Sequence, residues 1–134
     1  VIRCRLGSMT TFQLAVRGSK CYIYTIADVE WGYLNPARGD KSPCAADLWG
    51  DTHLLYGSFV KLPQGFEGEI VAKSNEFEAV VISGSLKYDN VKTLEPGSYF
   101  TLSKGAHSRI ENEGNKPLIV YIRATSPYHV KDSK

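Results

Sequence analysis

The stretch LEPGSYFTLSKGAHSRIEN, residues 94–112, decides the fold. It opens on a Pro96-Gly97 turn, runs through the aromatic segment SYFTL, turns again at Lys104-Gly105 and continues as the strand-like HSRIEN. Proline presets one turn position and glycine supplies the positive φ of another, so the chain reverses at both places. A second stretch, GFEGEIVAKSNEFEAVVISGSL at residues 65–86, has the same grammar: GEIVAK and EFEAVVIS lie either side of a polar Ser74-Asn75 turn, and Gly84 closes the pair. Alternating or β-branched runs of this length between turn residues read as strands.

The same pattern extends outward. TTFQLAVR and KCYIYTI flank Gly18-Ser19, a two-residue connection suited to a hairpin. HLLYGSFVKL, SLKYDN and PLIVYIRA add further strands, and no segment carries a helical period. About nine short strands in one domain predict an all-β sandwich or barrel with few open edges. Residues 28–51, DVEWGYLNPARGDKSPCAADLWGD, show no strand alternation and read as a long functional loop or lid. Alternatively, Trp31, Leu34, Leu48 and Trp49 plug one end of the barrel; both readings hold if that plug also walls a pocket.

Composition bounds the rest. With 134 residues, 43% hydrophobic and 22% charged, the chain suits one globular domain with its own core. The formal charge of +2 comes without a basic cluster, so no nucleic-acid partner is expected. No apolar run approaches the ~20 residues that span a bilayer, and the first twenty residues lack a secretory pattern. Three cysteines, Cys4, Cys21 and Cys44, lack metal-ligand spacing and read as reduced thiols, which points to a cytoplasmic protein. VIRCRLGS precedes the only methionine, Met9, so residues 1–8 read as a disordered or expression-derived leader and 9–134 as the domain.

The two opening stretches resemble the paired motifs of the cupin superfamily, and LNPARGD, LWGD, VVISG and PGSYF are similar to a bacterial cupin subfamily of unknown function. The resemblance implies a double-stranded β-helix, or jelly-roll barrel, here with an N-terminal β-hairpin. It also implies where a metal would sit: two histidines one residue apart and a glutamate in the first motif, and a third histidine in the second. Aligned on Gly65 and Gly84, the histidine positions fall on Val71 and Lys73 and the glutamate position on or next to Phe77. In the second motif Gly97, Gly105 and Asn112 match, Ser103 replaces a proline, and strict spacing puts the ligand position on Ser108, with His107 one place early. The expected metal set is therefore largely absent, and no cofactor is favoured.

If the turn at Ser74-Asn75 preserves strand phase, Val71, Lys73, Phe77, Ala79 and Val81 share the inward face and Glu76 and Glu78 point outward; a one-residue bulge reverses this. Lys73 then either reaches solvent along its aliphatic stem or pairs with a carboxylate or anionic ligand. The expected ligand pocket comprises Lys73, Phe77, His107, Val71, His53, Tyr99 and Trp49. A rebuilt site for a divalent transition metal would draw on His53, His107 and Glu78, whereas His129 reads as a surface residue near a frayed end.

Three functions follow as expectations. The first is a metal-free cupin binding a small organic molecule, with an anion as one candidate, near Lys73 and His107. The second is a cupin isomerase, lyase or dioxygenase with a non-standard metal site. The third is a homodimeric interaction or structural protein paired through the hairpin TTFQLAVRGSKCYIYTI.

Overall fold

The structure, a computed structural model, describes residues 25–133 and the backbone of strands 12–16 and 19–23. The leader assigned to residues 1–8 lies outside the described residues. Thirteen strands are present among those described: β1 (Phe12–Val16), β2 (Ser19–Ile23), β3 (Gly32–Tyr33), β4 (Cys44–Gly50), β5 (Tyr56–Leu62), β6 (Glu67–Val71), β7 (Phe77–Ser83), β8 (Leu86–Tyr88), β9 (Lys92–Leu94), β10 (Tyr99–Thr101), β11 (His107–Glu111), β12 (Leu118–Ala124) and β13 (His129–Asp132). One 3₁₀ turn, Pro36–Lys41, joins β3 to β4.

Two antiparallel sheets form the jelly roll. One has the order β10-β7-β12-β5-β4-β3 and the other β13-β6-β11-β8-β9, while among the described residues β1 and β2 pair with each other and with no other strand. β1 pairs with β2 in a register that sets Val16 opposite Ser19, and Gly18 of the Gly18-Ser19 connection read from the sequence lies outside the described residues.

The core lies between the two sheets. Even-numbered residues of β5 and β12, such as Val60, Leu62, Leu118 and Ile122, meet Phe77, Ala79 and Val81 of β7 and, from the facing sheet, Ile70, Leu86 and Ile110. Burying an aliphatic or aromatic side chain of this size contributes roughly 1.5–3 kcal/mol, so these alternating rows are the main favourable term in the fold. Asn112 ties the base of the barrel: its side-chain amide donates to the carbonyls of Leu62 (3.1 Å) and Lys116 (2.9 Å), and its Oδ1 accepts from the Gly114 amide (3.1 Å).

Residues 28–51 differ from the loop expected of them. Cys44–Gly50 is a strand paired with β5, and a second cluster of Val29, Trp31, Cys44 and Ala46 packs on the outer face of that sheet. Trp31 stacks on Phe59 (centroids 6.2 Å) under the Lys61 ammonium, 4.3 Å from its ring. Trp31 therefore covers a sheet rather than plugging the barrel, and Leu34 and Trp49 are each 42% exposed. Because the outer face is covered there, β4 buries both Cys44 and Ala46 away from the barrel, which erases the simple polar-outward alternation. The tail also folds, with His129–Asp132 pairing alongside β6.

Candidate functional site

Strand phase determines which side chains reach the barrel interior. In β6 the buried positions are Gly68 and Ile70, followed by Ala72, whereas in β7 they are Phe77, Ala79 and Val81. Phase thus switches across the turn at residues 73–76, and the expectation that Val71 and Lys73 share the inward face with Phe77 is corrected. The reason is tertiary: Ala72 continues the ladder by donating to the Ala106 carbonyl (3.1 Å) and accepting from the Gly105 amide (3.0 Å), and Asn75 Oδ1 accepts from the Lys104 amide (2.9 Å). Lys73 is exposed and Val71 is half-buried on the outer side.

The second motif resolves in favour of strict spacing. Ser108 is inward and 3% exposed, while His107 faces out with its Nδ1 3.6 Å from a Glu69 oxygen. Ser108 pairs with Ile70 across the β6–β11 ladder. The interior positions nearest the expected metal site are therefore Ile70, Ala72, Phe77 and Ser108, three of them unable to ligate a metal. His53 sits in an exposed turn, its backbone amide donating to Asp51 Oδ1 (2.8 Å). Glu78 lies on the outside of the other sheet, accepting from Arg123 (3.0 Å) and from the Tyr99 hydroxyl (3.2 Å). His53, His107 and Glu78 thus do not converge, and among the described residues no group of three or more His, Cys, Asp or Glu could hold a metal ion.

Aromatic rings fill the space instead. Tyr56 lies parallel to Tyr128 (6.3 Å), Tyr128 meets Phe77 edge-on (5.9 Å), Phe77 packs on Phe100 (6.4 Å), and Phe100 on Tyr88 (5.1 Å). These separations suit tilted and edge-to-face packing, which adds to the area term. Hydroxyl pairs brace this ring chain at two points: Ser108 donates to the Tyr88 oxygen (2.7 Å), and Ser58 and Tyr128 share a hydrogen bond of 2.7 Å. Burial, reinforced by the Asp47 carboxylate, pushes the Tyr56 hydroxyl up to about 12, and burial drives Tyr128 further in the same direction. Both rings are therefore neutral hydrogen-bonding groups at ordinary pH. Tyr128 is the residue that sequence reading missed; its alternation with Val130 in SPYHV is the available signal.

Where the barrel opens at residues 72–77, a cleft of about 450 Å³ is lined by Asn75, Phe77, Tyr99, Thr101, Leu102 and Ser103, with Glu78 at its side. Two expected pocket residues, Phe77 and Tyr99, come together here. The others do not: Val71 and His107 pair on the outer face of the opposite sheet, Lys73 and His53 are exposed in turns, and Trp49 lies outside the barrel, donating its indole N–H to the Tyr121 hydroxyl (3.0 Å). Gly57 makes the room for that indole, since a Cβ there would fall on Trp49.

A family model covers residues 52–131, more than half of the chain, and is described as a domain of unknown function, DUF4437. The chain belongs to the DUF4437 family. No curated protein matches it. Solved structures similar to this DUF4437 chain include an RmlC-like cupin protein from Ralstonia eutropha (14% identity, 81% of this chain and 71% of that one, TM-score 0.63). Also similar are a Ralstonia eutropha protein of unknown function with a cupin-like fold (14%, 76% and 73%, TM-score 0.57) and the cupin domain of Cnp3 from Schizosaccharomyces pombe (11%, 94% and 90%, TM-score 0.58). At these identities the likeness shows the fold alone: the DUF4437 domain is a cupin-type jelly roll. Among its described residues no helix is long and apolar enough to cross a membrane.

Proposed function

We propose that the protein is a small-molecule-binding cupin that works without the histidine metal set of the wider superfamily, its ligand seated in the cleft at the barrel mouth. The observation that carries this reading is the lining of that cleft: the exposed aromatic wall of Tyr99 at the rim above the buried Phe77, with amide and hydroxyl groups from Asn75, Thr101 and Ser103 around it. The lining is mainly polar around one aromatic face, and polar groups placed beside an aromatic ring orient a ligand. No lysine, arginine or histidine is among its lining residues, and Glu78 is engaged by Arg123 and Tyr99. The anionic ligand expected at Lys73 and His107 thus gives way to a neutral one bearing hydroxyls and an apolar face. The metal-dependent enzyme loses its support with the separation of His53, His107 and Glu78. Cys44 as a buried thiol goes with the cytoplasmic placement that belongs to this reading.

The test is thermal unfolding against a panel of neutral sugars, aromatic alcohols and carboxylates. A ligand at a hundredfold excess over its Kd stabilises by about 2.7 kcal/mol, a shift of several degrees. Tyr99→Ala, at a side chain more than half exposed, should leave the unliganded midpoint in place and abolish that shift. A panel without any response, or a variant that responds as the parent does, would overturn the assignment.

A second reading rests on the hairpin. Among the described residues β1 and β2 pair with each other and with no other strand, and a two-stranded ribbon by itself is marginal in water. We propose that a second copy of the chain supplies its packing partner. Light scattering should report a dimer for the full chain and a monomer once residues 10–26 are deleted; a monomeric full chain at tens of micromolar would count against it.

A further inference from the structure

β6 starts from the loop at residues 63–66 and ends at the mouth turn, so the start of β6 marks the opposite end of the barrel. There the turn Pro36–Lys41 closes against that loop and β13, leaving a cleft of about 240 Å³ lined by Arg38, Lys41, Gln64, Phe66, Glu67 and Asp132. The turn belongs to the LNPARGD motif, which the fold alone does not explain. It is firmly built: the Asn35 amide donates to Ser42 Oγ (2.8 Å), the Leu34 amide to the Pro43 carbonyl (2.8 Å) and the Ser42 amide to the Gly39 carbonyl (2.9 Å). Gly39 has φ +56° and ψ −129°, a conformation open to glycine and strained for other residues, although a Cβ there would meet no neighbour. Glycine is thus required by the path of the chain between Arg38 and Lys41 rather than by crowding.

The charges in the cleft are arranged by sign. Asp132 accepts from Asn35 (3.3 Å) and lies 3.7 Å from the Arg38 guanidinium, which fixes β13 to the turn. Glu67 borders the cleft from β6, 3.7 Å from Arg109 on the neighbouring strand. Lys41 makes no hydrogen bond or ion pair among the described residues. Two cations on the turn and two carboxylates on the flanking strands sum to no net charge, so a simple anion meets repulsion from Asp132 and Glu67, and a simple cation meets it from Lys41 and Arg38. A molecule bearing both signs can set each of its charges against the opposite one. The floor is the buried ring of Phe66, 4% exposed, which offers apolar contact to a side chain.

We propose that this basal cleft binds a small zwitterion of the α-amino acid class, its carboxylate held by Lys41 beside Arg38 and its ammonium directed to Glu67. The site is separate from the mouth cleft and stands or falls independently of it. Calorimetric titration of the full-length protein with the twenty standard amino acids tests it, followed by the decarboxylated amine and the deaminated acid of the best binder. One or more amino acids should bind, and each single-charge analogue should bind at least tenfold more weakly, since a hydrogen bond to a charged group is worth roughly 1.5–3 kcal/mol. Lys41→Ala, at an exposed side chain, should weaken binding about tenfold or more with the unfolding midpoint unchanged, and Lys41→Arg should retain most of it. Tyr99→Ala should bind the amino acid as the parent does, whatever becomes of the mouth ligand. No amino acid binding at millimolar concentration, a deaminated acid as tight as its amino acid, or full affinity in Lys41→Ala would overturn the proposal.

Discussion

Truncating Phe77 to alanine is expected to lower the stability of the protein by about 3–5 kcal/mol, the range found when a large buried aromatic is removed. Phe77 is 1% exposed and sits in the middle of the interior ring chain, touching Phe100 on one side and Tyr128 on the other. Its removal forfeits the transfer energy of the ring and leaves a hole whose walls come from both sheets, which hydrogen-bonded ladders prevent from collapsing. Against the 5–15 kcal/mol that holds a typical domain together, this is a large fraction. Urea unfolding followed by tryptophan fluorescence measures it, with the midpoint falling and the slope unchanged. A loss below about 1.5 kcal/mol would mean that the rings repack freely and that the interior is not the rigid element described above. Benzene offers a second readout: an apolar cavity of this kind stays dry and takes up small aromatics, so it should raise the midpoint of Phe77→Ala and leave the parent unmoved.

Gly68→Ala is the second large effect. Gly68 lies in β6 opposite Asp132 of β13, and a Cβ at this position would fall on the backbone carbonyl of Lys131 and close to the ring of Phe66. A side-chain tip can swing aside but a paired backbone cannot, so β13 must move outward or detach. Overpacking of this sort costs about 1–3 kcal/mol, and hydrogen exchange should localise it. The amides of β13 and of Ser133, which donates to the Glu67 carbonyl at 2.9 Å, should lose protection while those of β11 on the other side of β6 retain theirs. Since Asp132 travels with β13, its contacts with Arg38 and Asn35 are lost and the basal cleft opens as well. Unchanged protection in β13 would show that the tail strand is held by something other than its close approach to Gly68.

Much of the fold was legible because turns carry their own chemistry. Gly65, Gly84, Gly97 and Gly105 all adopt positive φ, and Asp89 and Asn90, also at positive φ, make the tight β8–β9 turn within SLKYDN. The strands between these punctuation marks followed from apolar alternation, and β7 buries the odd positions that its pattern indicates. Strands β3, β4, β9 and β13 escaped notice, the short β3 and β9 for want of length. The polar–apolar pattern of β4 is blurred by Trp31 covering its outer side, and β13 is an edge strand whose alternation of exposed and half-buried residues spans only four positions.

The candidate site was less legible, and Ile70, Val71 and Ala72 show why. All three are apolar, so either parity of β6 would bury a hydrophobe, and local preference could not choose between them. Within a strand, residue identity and spacing determined the outcome: glycines set the turns, and the count from Gly105 to Ser108 put Ser108, not His107, inside. Between strands, the choice belonged to the tertiary structure, where the backbone of Ala72 pairs with Ala106 and turns Val71 and Lys73 outward. A side chain's direction depends on which neighbour its backbone hydrogen-bonds, and that neighbour is thirty-four residues away along the chain, beyond the reach of any local pattern.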